Sequence, residues 1–371
     1  MKKLIFILDH LKGGGAERIA LELCEQLTQR GFELVIVLLD GSDIKMPIPS
    51  HIKSYHLNVN DEFFKGRLWK NTKKIFNHKD IDGILRILDN EKPDKVIVSP
   101  WRAFYFSEIL PKVCHADVWC WVHGEVIDLH RKPSEKISRW YKETRRLFLE
   151  KRHFSRIMNG NNIIVVNENL KKEYQSHIPN AKIHVLYNGI DFDRVKNGVD
   201  EQSEKQWDCI FVGRLSPEKQ PDHAIRAFAN SGLNGRMAIV GDGQMKDELM
   251  VLCKTLNIVD KVDFLGWQTN PYQYIVQAKC LVLSSSTEGS PLIVVESLIL
   301  GVPVVAYDLN DGIRYQLNHK NLNNGLVESQ NIQELSKKIK EISESPYIIN
   351  SNDIAHLSIQ NMTSDFLNII D

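Results

Sequence analysis

Residues 281–305 read LVLSSSTEGSPLIVVESLILGVPVV. Leu281-Val282-Leu283 is an apolar run of strand length that ends in a Ser/Thr/Gly loop. Ser290-Pro291 then reads as an N-cap followed by proline at the first helical position. The helix after it is apolar on nearly every side, a pattern that goes with burial, and a new apolar strand starts at Val302. Strand, loop, helix and strand in this order build a parallel α/β sheet. Two carboxylates lie on the stretch, Glu288 in the loop and Glu296 inside the helix. A buried carboxylate is costly without hydrogen-bond partners. Two readings of Glu296 follow: it accepts from hydroxyls of a ligand arriving over the helix N-terminus, or it shares a narrow wet face with Ser297.

The pattern extends backwards through the second half. Cys209–Val212, Met237–Val240 and Val262–Leu265 are further apolar strands, making five with Leu281–Leu283 and Val302–Val305, and helical segments are expected near 219–231, 244–256, 270–279 and 291–300. This is a doubly wound sheet. After its first strand comes Gly213-Arg214-Leu215-Ser216-Pro217-Glu218-Lys219, with two cations five residues apart at the end where parallel sheets hold ligands. Arg214 and Lys219 can clamp a diphosphate between them. Gly241-Asp242-Gly243 and Gly266-Trp267 stand after the next two strands, where close backbone approach and an aromatic face suit a nucleobase. Turn glycine and surface charge is the competing reading of each loop.

The first half opens with the apolar strand Leu4–Leu8. Helical spacing of Ala16, Ile19, Ala20, Leu23 and Leu27 follows, and then a second strand, Leu34–Leu39, completing a βαβ unit. Between strand and helix, Gly13, Gly14 and Gly15 let backbone N–H groups approach an anion. A dinucleotide fingerprint would need GxGxxG directly after the strand. Here four residues separate Leu8 from Gly13 and Arg18 replaces the third glycine, which argues against a nicotinamide or flavin site although Asp40 ends the second strand. Lys95–Ser99, Val118–Val122 and Ile163–Val166 add strands, so this half is also doubly wound α/β. His123-Gly124-Glu125 follows one of them at the ligand end. His123 there touches a substrate hydroxyl or moves a proton, or merely caps a loop.

A chain of 371 residues suits two cored domains. Tyr187-Asn188-Gly189-Ile190-Asp191 is a turn signal, and the residues to Gln206 are polar and aperiodic. The expected division is a first domain over 1–190, a linker over 191–206, a second domain over 207–345 and a helical tail over 346–371. Asp191-Phe192-Asp193 is formally a DxD, but it opens the linker and reads as turn chemistry, so neither a catalytic metal nor a cofactor is expected. Lys+Arg and Asp+Glu both number 47, so no global field draws the chain to nucleic acid. The six cysteines are scattered and read as reduced thiols of a cytosolic protein. Asp9 interrupts the first apolar run too early for a signal peptide, and no window approaches the roughly 18 apolar residues that span a bilayer. Membrane contact would therefore be peripheral. Residues 131–156 carry ten lysines and arginines against three glutamates, interleaved with Trp140, Tyr141, Phe148 and Phe154. That composition suits an anionic membrane surface or a phosphorylated acceptor, or a solvated helix.

Taken in order, GGGAER, HGE, YNGID, FVGRLSPEK, VGDG, FLGW, EGSPLIVVES and GVPVVA strongly resemble the retaining family-4 glycosyltransferases of the GT-B fold, over nearly the whole chain. The resemblance implies two Rossmann-like domains facing across a cleft, the second binding a sugar nucleotide and the first most of the acceptor. It implies that Arg214 and Lys219 hold the diphosphate and that Glu288 contacts donor-sugar hydroxyls. Glu296 would bind the ribose, and Gly289, Ser290, Pro291 and Leu292 would complete the donor loop. Gly13, Gly14 and Gly15 would lie under the phosphates, with His123 near the sugar. The implied reaction is metal-independent transfer of a hexose or N-acetylhexosamine, from a UDP-linked donor to a lipid-linked or lipopolysaccharide-type glycan at the cytoplasmic face of the inner membrane. An epimerase or phosphorylase on the same fold, or a non-catalytic glycan-binding subunit, is the alternative. After GVPVVA many relatives continue with a small-residue and Pro-Arg-Glu segment, whereas this chain runs Tyr307-Asp308-Leu309-Asn310-Asp311-Gly312-Ile313-Arg314-Tyr315.

Overall fold

The computed structural model describes residues 2–59, 78–99, 101–125, 127, 137–199 and 204–371, and only the backbone of residues 78, 79, 101, 137–140 and 142. Two compact units result, Met1–Tyr187 with Thr363–Asp371, and Asn188–Met362.

The first unit is built on seven strands: β1 Lys3–Leu8, β2 Glu33–Leu38, β3 Lys53–His56, β4 Lys95–Ser99, β5 Asp117–Val122, β6 Asn162–Val165 and β7 Lys182–Val185. They form one parallel sheet in the order β3-β2-β1-β4-β5-β6-β7. Consecutive residues of β1 and β2 are all buried after the first, so both faces of the sheet are covered. This is why those strands read as unbroken apolar runs. The order reverses between β1 and β4, and a parallel sheet holds ligands at that point, beyond the carboxyl ends of its strands.

The second unit repeats the plan with β8 Cys209–Val212, β9 Met237–Val240, β10 Val262–Gly266, β11 Leu281–Leu283, β12 Val304–Tyr307 and β13 Leu326–Val327. These are parallel in the order β10-β9-β8-β11-β12-β13, with the reversal between β8 and β11. The helices Pro221–Asn230, Lys246–Thr255, Tyr272–Ile275 and Leu292–Ile299 fall where the periodicity predicts them, each shorter than expected.

Within 191–206, expected as linker, Asp191 caps the short helix Phe192–Lys196, accepting from the backbone N–H groups of Asp193 at 3.0 Å and Arg194 at 3.1 Å. The tail contains the helix Ile359–Ile370. Its start belongs to the second unit, where Ser358 bridges Ile190. From Thr363 it belongs to the first, where the buried Phe366 ring lies 6.3 Å from both Phe6 and Trp121.

Candidate functional site

The two strands that flank the reversal in the second unit end in the two loops singled out by sequence. From the β8 loop, Lys219 Nζ reaches Glu288 Oε1 of the β11 loop at 2.6 Å. Ser285 Oγ donates to the same oxygen at 2.7 Å. The loops are also tied through backbone: Ser286 N donates to the Glu218 carbonyl at 2.8 Å, and Ser284 Oγ to the Gln220 carbonyl at 2.7 Å. Lys219 and Glu288 are therefore fixed relative to each other by four bonds. Arg214 lies at the edge of this knot, its side chain 72% exposed and donating to Glu218 Oε1 at 3.4 Å. The hydroxyl of Ser216, bonded to Glu218 at 2.6 Å, holds that carboxyl below its usual range.

Glu296 is buried, which removes the wet-face reading. Tyr272 Oη donates to its Oε1 at 2.7 Å and accepts from Arg194 Nη1 at 2.7 Å, while Arg194 Nη2 lies 3.9 Å from the carboxylate. Ser297 is buried too and donates to the Val302 carbonyl. The expected N-cap is displaced by one residue: the helix begins at Leu292 with Pro291 at the cap and no side-chain capping bond. Ser290, one residue before the cap, is engaged elsewhere: its hydroxyl accepts from Gln316 Nε2 at 3.0 Å and its carbonyl from Asn188 Nδ2 at 3.3 Å.

The glycine loops stack edge to edge. Gly213 N donates to Val240 O at 2.9 Å and Gly241 N to Gly266 O at 2.7 Å. Gly241 has φ +138°, and a Cβ there would overlap the Gly213 carbonyl oxygen; one on Gly243 would overlap the Leu215 carbonyl. Both glycines are required by backbone approach between neighbouring loops. Trp267 is 65% exposed beside them.

In the first unit, Gly13 and Gly14 lie between β1 and the helix Gly15–Gln29, with Gly14 at the cap and Gly15 as its first residue. A Cβ on Gly14 would overlap Glu17 Oε2, so the carboxylate of Glu17 lies against the loop, with its Oε1 3.2 Å from His10 Nδ1. Lys12 bridges to Asp40 at 2.7 Å. Burial raises the Asp40 carboxyl, but hydrogen bonds from Lys12 and Ser42 outweigh it and hold the group at about 2. Asp40 is thereby engaged in a loop bridge. Asp9, just after β1, accepts from Arg102 N at 2.9 Å and Ala103 N at 2.8 Å in the 3-10 helix Trp101–Glu108 that follows β4; burial pushes its carboxyl up to about 8.

His123 follows β5, with Nε2 3.0 Å from Ser99 Oγ at the end of β4 and its ring centroid 4.3 Å from that of Trp121. Its Nδ1 is out of contact with solvent and has no hydrogen-bond partner among the described residues. Burial pushes the imidazole down to about 3, so it is neutral at pH 7.

The basic stretch lies partly outside the described residues, Arg131, Lys132 and Lys136 among them. From Ile137 to Met158 it is a helix. Phe154 is not on its surface: it is buried against Tyr174, ring centroids 5.1 Å apart. Tyr141 and Phe148, seven residues apart and thus on one face, are 71% and 63% exposed. Arg145 and Arg152 are exposed too, and Leu149 is 39% exposed. Arg146 is tied to Glu150 at 2.9 Å.

Sequence reasoning missed Tyr272, Arg194, Ser285, Ser99, Asn310 and Gln316. They act through hydrogen bonds between segments distant in the chain, which spacing does not reveal.

The Glycosyltransferase Family 4 model matches residues 13–194 and the Glycosyl transferases group 1 model residues 193–356. An uncharacterised glycosyltransferase of Methanocaldococcus jannaschii is 27% identical over 296 residues, 71% of this chain and 70% of that one. The N-acetylgalactosamine-N,N'-diacetylbacillosaminyl-diphospho-undecaprenol 4-alpha-N-acetylgalactosaminyltransferase of Campylobacter jejuni is 34% identical over 134 residues, 36% of this chain and 37% of that one. Among solved structures, Anabaena HepE in complex with UDP and glucose superposes with a TM-score of 0.75 at 16% identity, covering 100% of this chain and 99% of that one. With two parallel sheets of this topology and two family models that meet end to end, the chain belongs to the family-4, group-1 glycosyltransferases of the GT-B fold.

Proposed function

We propose that the protein moves a hexose or N-acetylhexosamine from a UDP-linked sugar to a hydroxyl of a lipid-linked or lipopolysaccharide-type glycan, with retention at the anomeric carbon and without a metal. The observation that carries this reading is the Lys219–Glu288 pair at the reversal of the second sheet. An ammonium has three donors, and the bond to Glu288 uses one, which leaves the others available to phosphate oxygens. Both bonds to Glu288 fall on Oε1, which leaves Oε2 as acceptor for a sugar hydroxyl. The Campylobacter relative's lipid-linked substrate and the UDP in the Anabaena structure support the classes of acceptor and donor.

In this mechanism the bond from the anomeric carbon to the diphosphate breaks and negative charge grows on the leaving oxygen. Lys219, already held in place, stabilises that charge without reorganising, and the exposed Arg214 turns in to add a second cation. The acceptor hydroxyl attacks from the face the diphosphate leaves, forms the new glycosidic bond, and gives its proton to the departing phosphate oxygen. Glu296 binds the ribose, and its Tyr272 bond keeps it oriented. In the first unit, Gly13, Gly14 and Gly15 offer a glycine loop at a helix N-terminus to an anion, and His123 is a neutral imidazole.

The helix Ile137–Met158 presents Tyr141, Arg145, Phe148, Leu149 and Arg152 outward. Aromatic and cationic side chains on one face fit an anionic bilayer, where a lipid-linked acceptor resides. The proposed contact is peripheral, at the cytoplasmic face of the inner membrane; among the described residues no helix is long and apolar enough to cross a membrane.

A thermal-shift panel of nucleotide sugars tests the donor, since a specific ligand stabilises the fold by mass action. One UDP-sugar should stand out, and Arg214→Ala and Glu288→Ala should each suppress its transfer to glycan. Conversion of UDP-N-acetylglucosamine with no acceptor would favour an epimerase, and transfer unaffected by either substitution would end the proposal.

A further inference from the structure

The segment Tyr307–Tyr315 begins a clamp on the loop 288–292. Asn310 caps the helix Asp311–Gln316, its Oδ1 accepting from Ile313 N at 3.1 Å, while its Nδ2 donates to the Glu288 carbonyl at 2.5 Å. At the other end of the same helix, the fully buried Gln316 donates through Nε2 to Ser290 Oγ at 3.0 Å and to the Pro291 carbonyl at 3.2 Å. Carbonyl and N–H point in opposite directions across a planar trans peptide. Drawing the carbonyls of Glu288 and Pro291 toward this helix therefore turns the N–H groups of Gly289 and Leu292 away from it.

The chemistry of the two amides matters. Asn310 uses both ends of its side chain at once, one for the cap and one for the loop. Gln316 is retained although its Oε1 is buried with no hydrogen-bond partner among the described residues. Burying an unsatisfied acceptor carries a cost that an apolar side chain of similar size would not. A polar group kept at that cost, with both of its donated bonds on residues 290–291, is placed to hold those residues.

We propose that Asn310 and Gln316 are positioning residues for the donor sugar: they set the path of residues 288–292, and so decide which hexose those groups accept. This rests on the reading of that loop as donor-binding. Because the clamp acts on the sugar-side backbone and not on Arg214, Lys219 or Glu296, it governs the sugar's share of binding and leaves the nucleotide's share alone.

Asn310→Asp keeps the capping oxygen and removes the donor, and Gln316→Met keeps most of the volume and removes both donated bonds. Binding would be measured calorimetrically on the full chain with UDP alone and with UDP-glucose, UDP-galactose and their N-acetylated counterparts. The expected result is a UDP Kd within about twofold of the parent, with the preferred UDP-sugar weakened about tenfold, about 1.4 kcal/mol, and the preference among the four flattened. Asn310→Asp, which keeps the helix cap, should stay folded with a melting temperature lowered by only about 2–4 °C. Equal weakening of UDP and UDP-sugar, or no weakening of either, would overturn the clamp. If Arg214→Ala and Glu288→Ala also leave UDP-sugar binding intact, the donor-site reading fails, whatever the amides do.

Discussion

Tyr272 Oη donates to Glu296 Oε1 at 2.7 Å, placing a phenol under a carboxylate that sits in a helix of leucine, isoleucine and valine. A hydrogen bond to a buried charged group is worth about 1.5–3 kcal/mol. Tyr272→Phe should therefore lower stability by about 2 kcal/mol in denaturant unfolding. With Glu296 on the ribose, it should also weaken UDP binding several-fold. Unfolding curves that superimpose would show the bond contributes nothing.

Lys219→Met leaves Glu288 without its cation, and the Glu288 side chain is 9% exposed. Stranding one partner of such a pair costs about 3 kcal/mol. Sugar transfer should fall by at least about a hundredfold, and UDP affinity by about tenfold. Lys219→Arg should recover part of the affinity but little of the rate, since a planar fork does not reproduce a point charge. Full activity in Lys219→Met would remove the lysine from the mechanism.

His123 offers a test by pH. Burial lowers its pKa from 6.5 to about 3 in the folded protein, so between those values the unfolded chain binds a proton that the folded chain does not. Stability from this group is complete above about pH 6.5 and is lost as pH falls towards 3. His123→Asn should flatten that part of the stability profile. Ser99→Ala, which removes the partner of Nε2, should alter the imidazole ¹⁵N shifts without unfolding the domain. An unchanged profile in His123→Asn would show that the ring does not resist protonation.

Gly241 and Gly232 separate strain from collision. Both have positive φ, but a Cβ at Gly232 meets nothing within 4 Å, whereas one at Gly241 strikes the Gly213 carbonyl. Gly232→Ala should cost about 1–2 kcal/mol from conformation alone, and Gly241→Ala about 3 kcal/mol or more. Equal losses in thermal unfolding would mean that the loops yield.

Charge reversal at Arg145 and Arg152 should weaken sedimentation with phosphatidylserine vesicles by more than tenfold, since each cation near an anionic surface contributes about 1 kcal/mol. Phe148→Ala should weaken it further. Reversal at Arg146, already paired with Glu150, should matter less. Undiminished binding in the double reversal would exclude this face.

How much of this was legible in the sequence depended on burial. β1, β2, β8 and β9 are covered on both faces and show as apolar runs. Three of the four edge strands escaped notice: β3 reads KSYH, β7 reads KIHV, and β13 is only two residues long, whereas the fourth, β10, was legible in VDFLG. Strands at a sheet margin are often short and charged. The loops at the reversal were legible because their glycines and paired charges are local. The bonds that hold them are not, since Lys219 and Glu288 lie 69 positions apart, and Tyr272 and Glu296 24.

The final helix adds a consequence for synthesis. Phe366 covers Phe6 and Trp121, yet it leaves the ribosome after the entire second unit has been made. The first sheet must therefore wait through translation with that aromatic surface uncovered, a window in which a chaperone could bind it. Cutting the chain before Thr363 would make this transient exposure permanent.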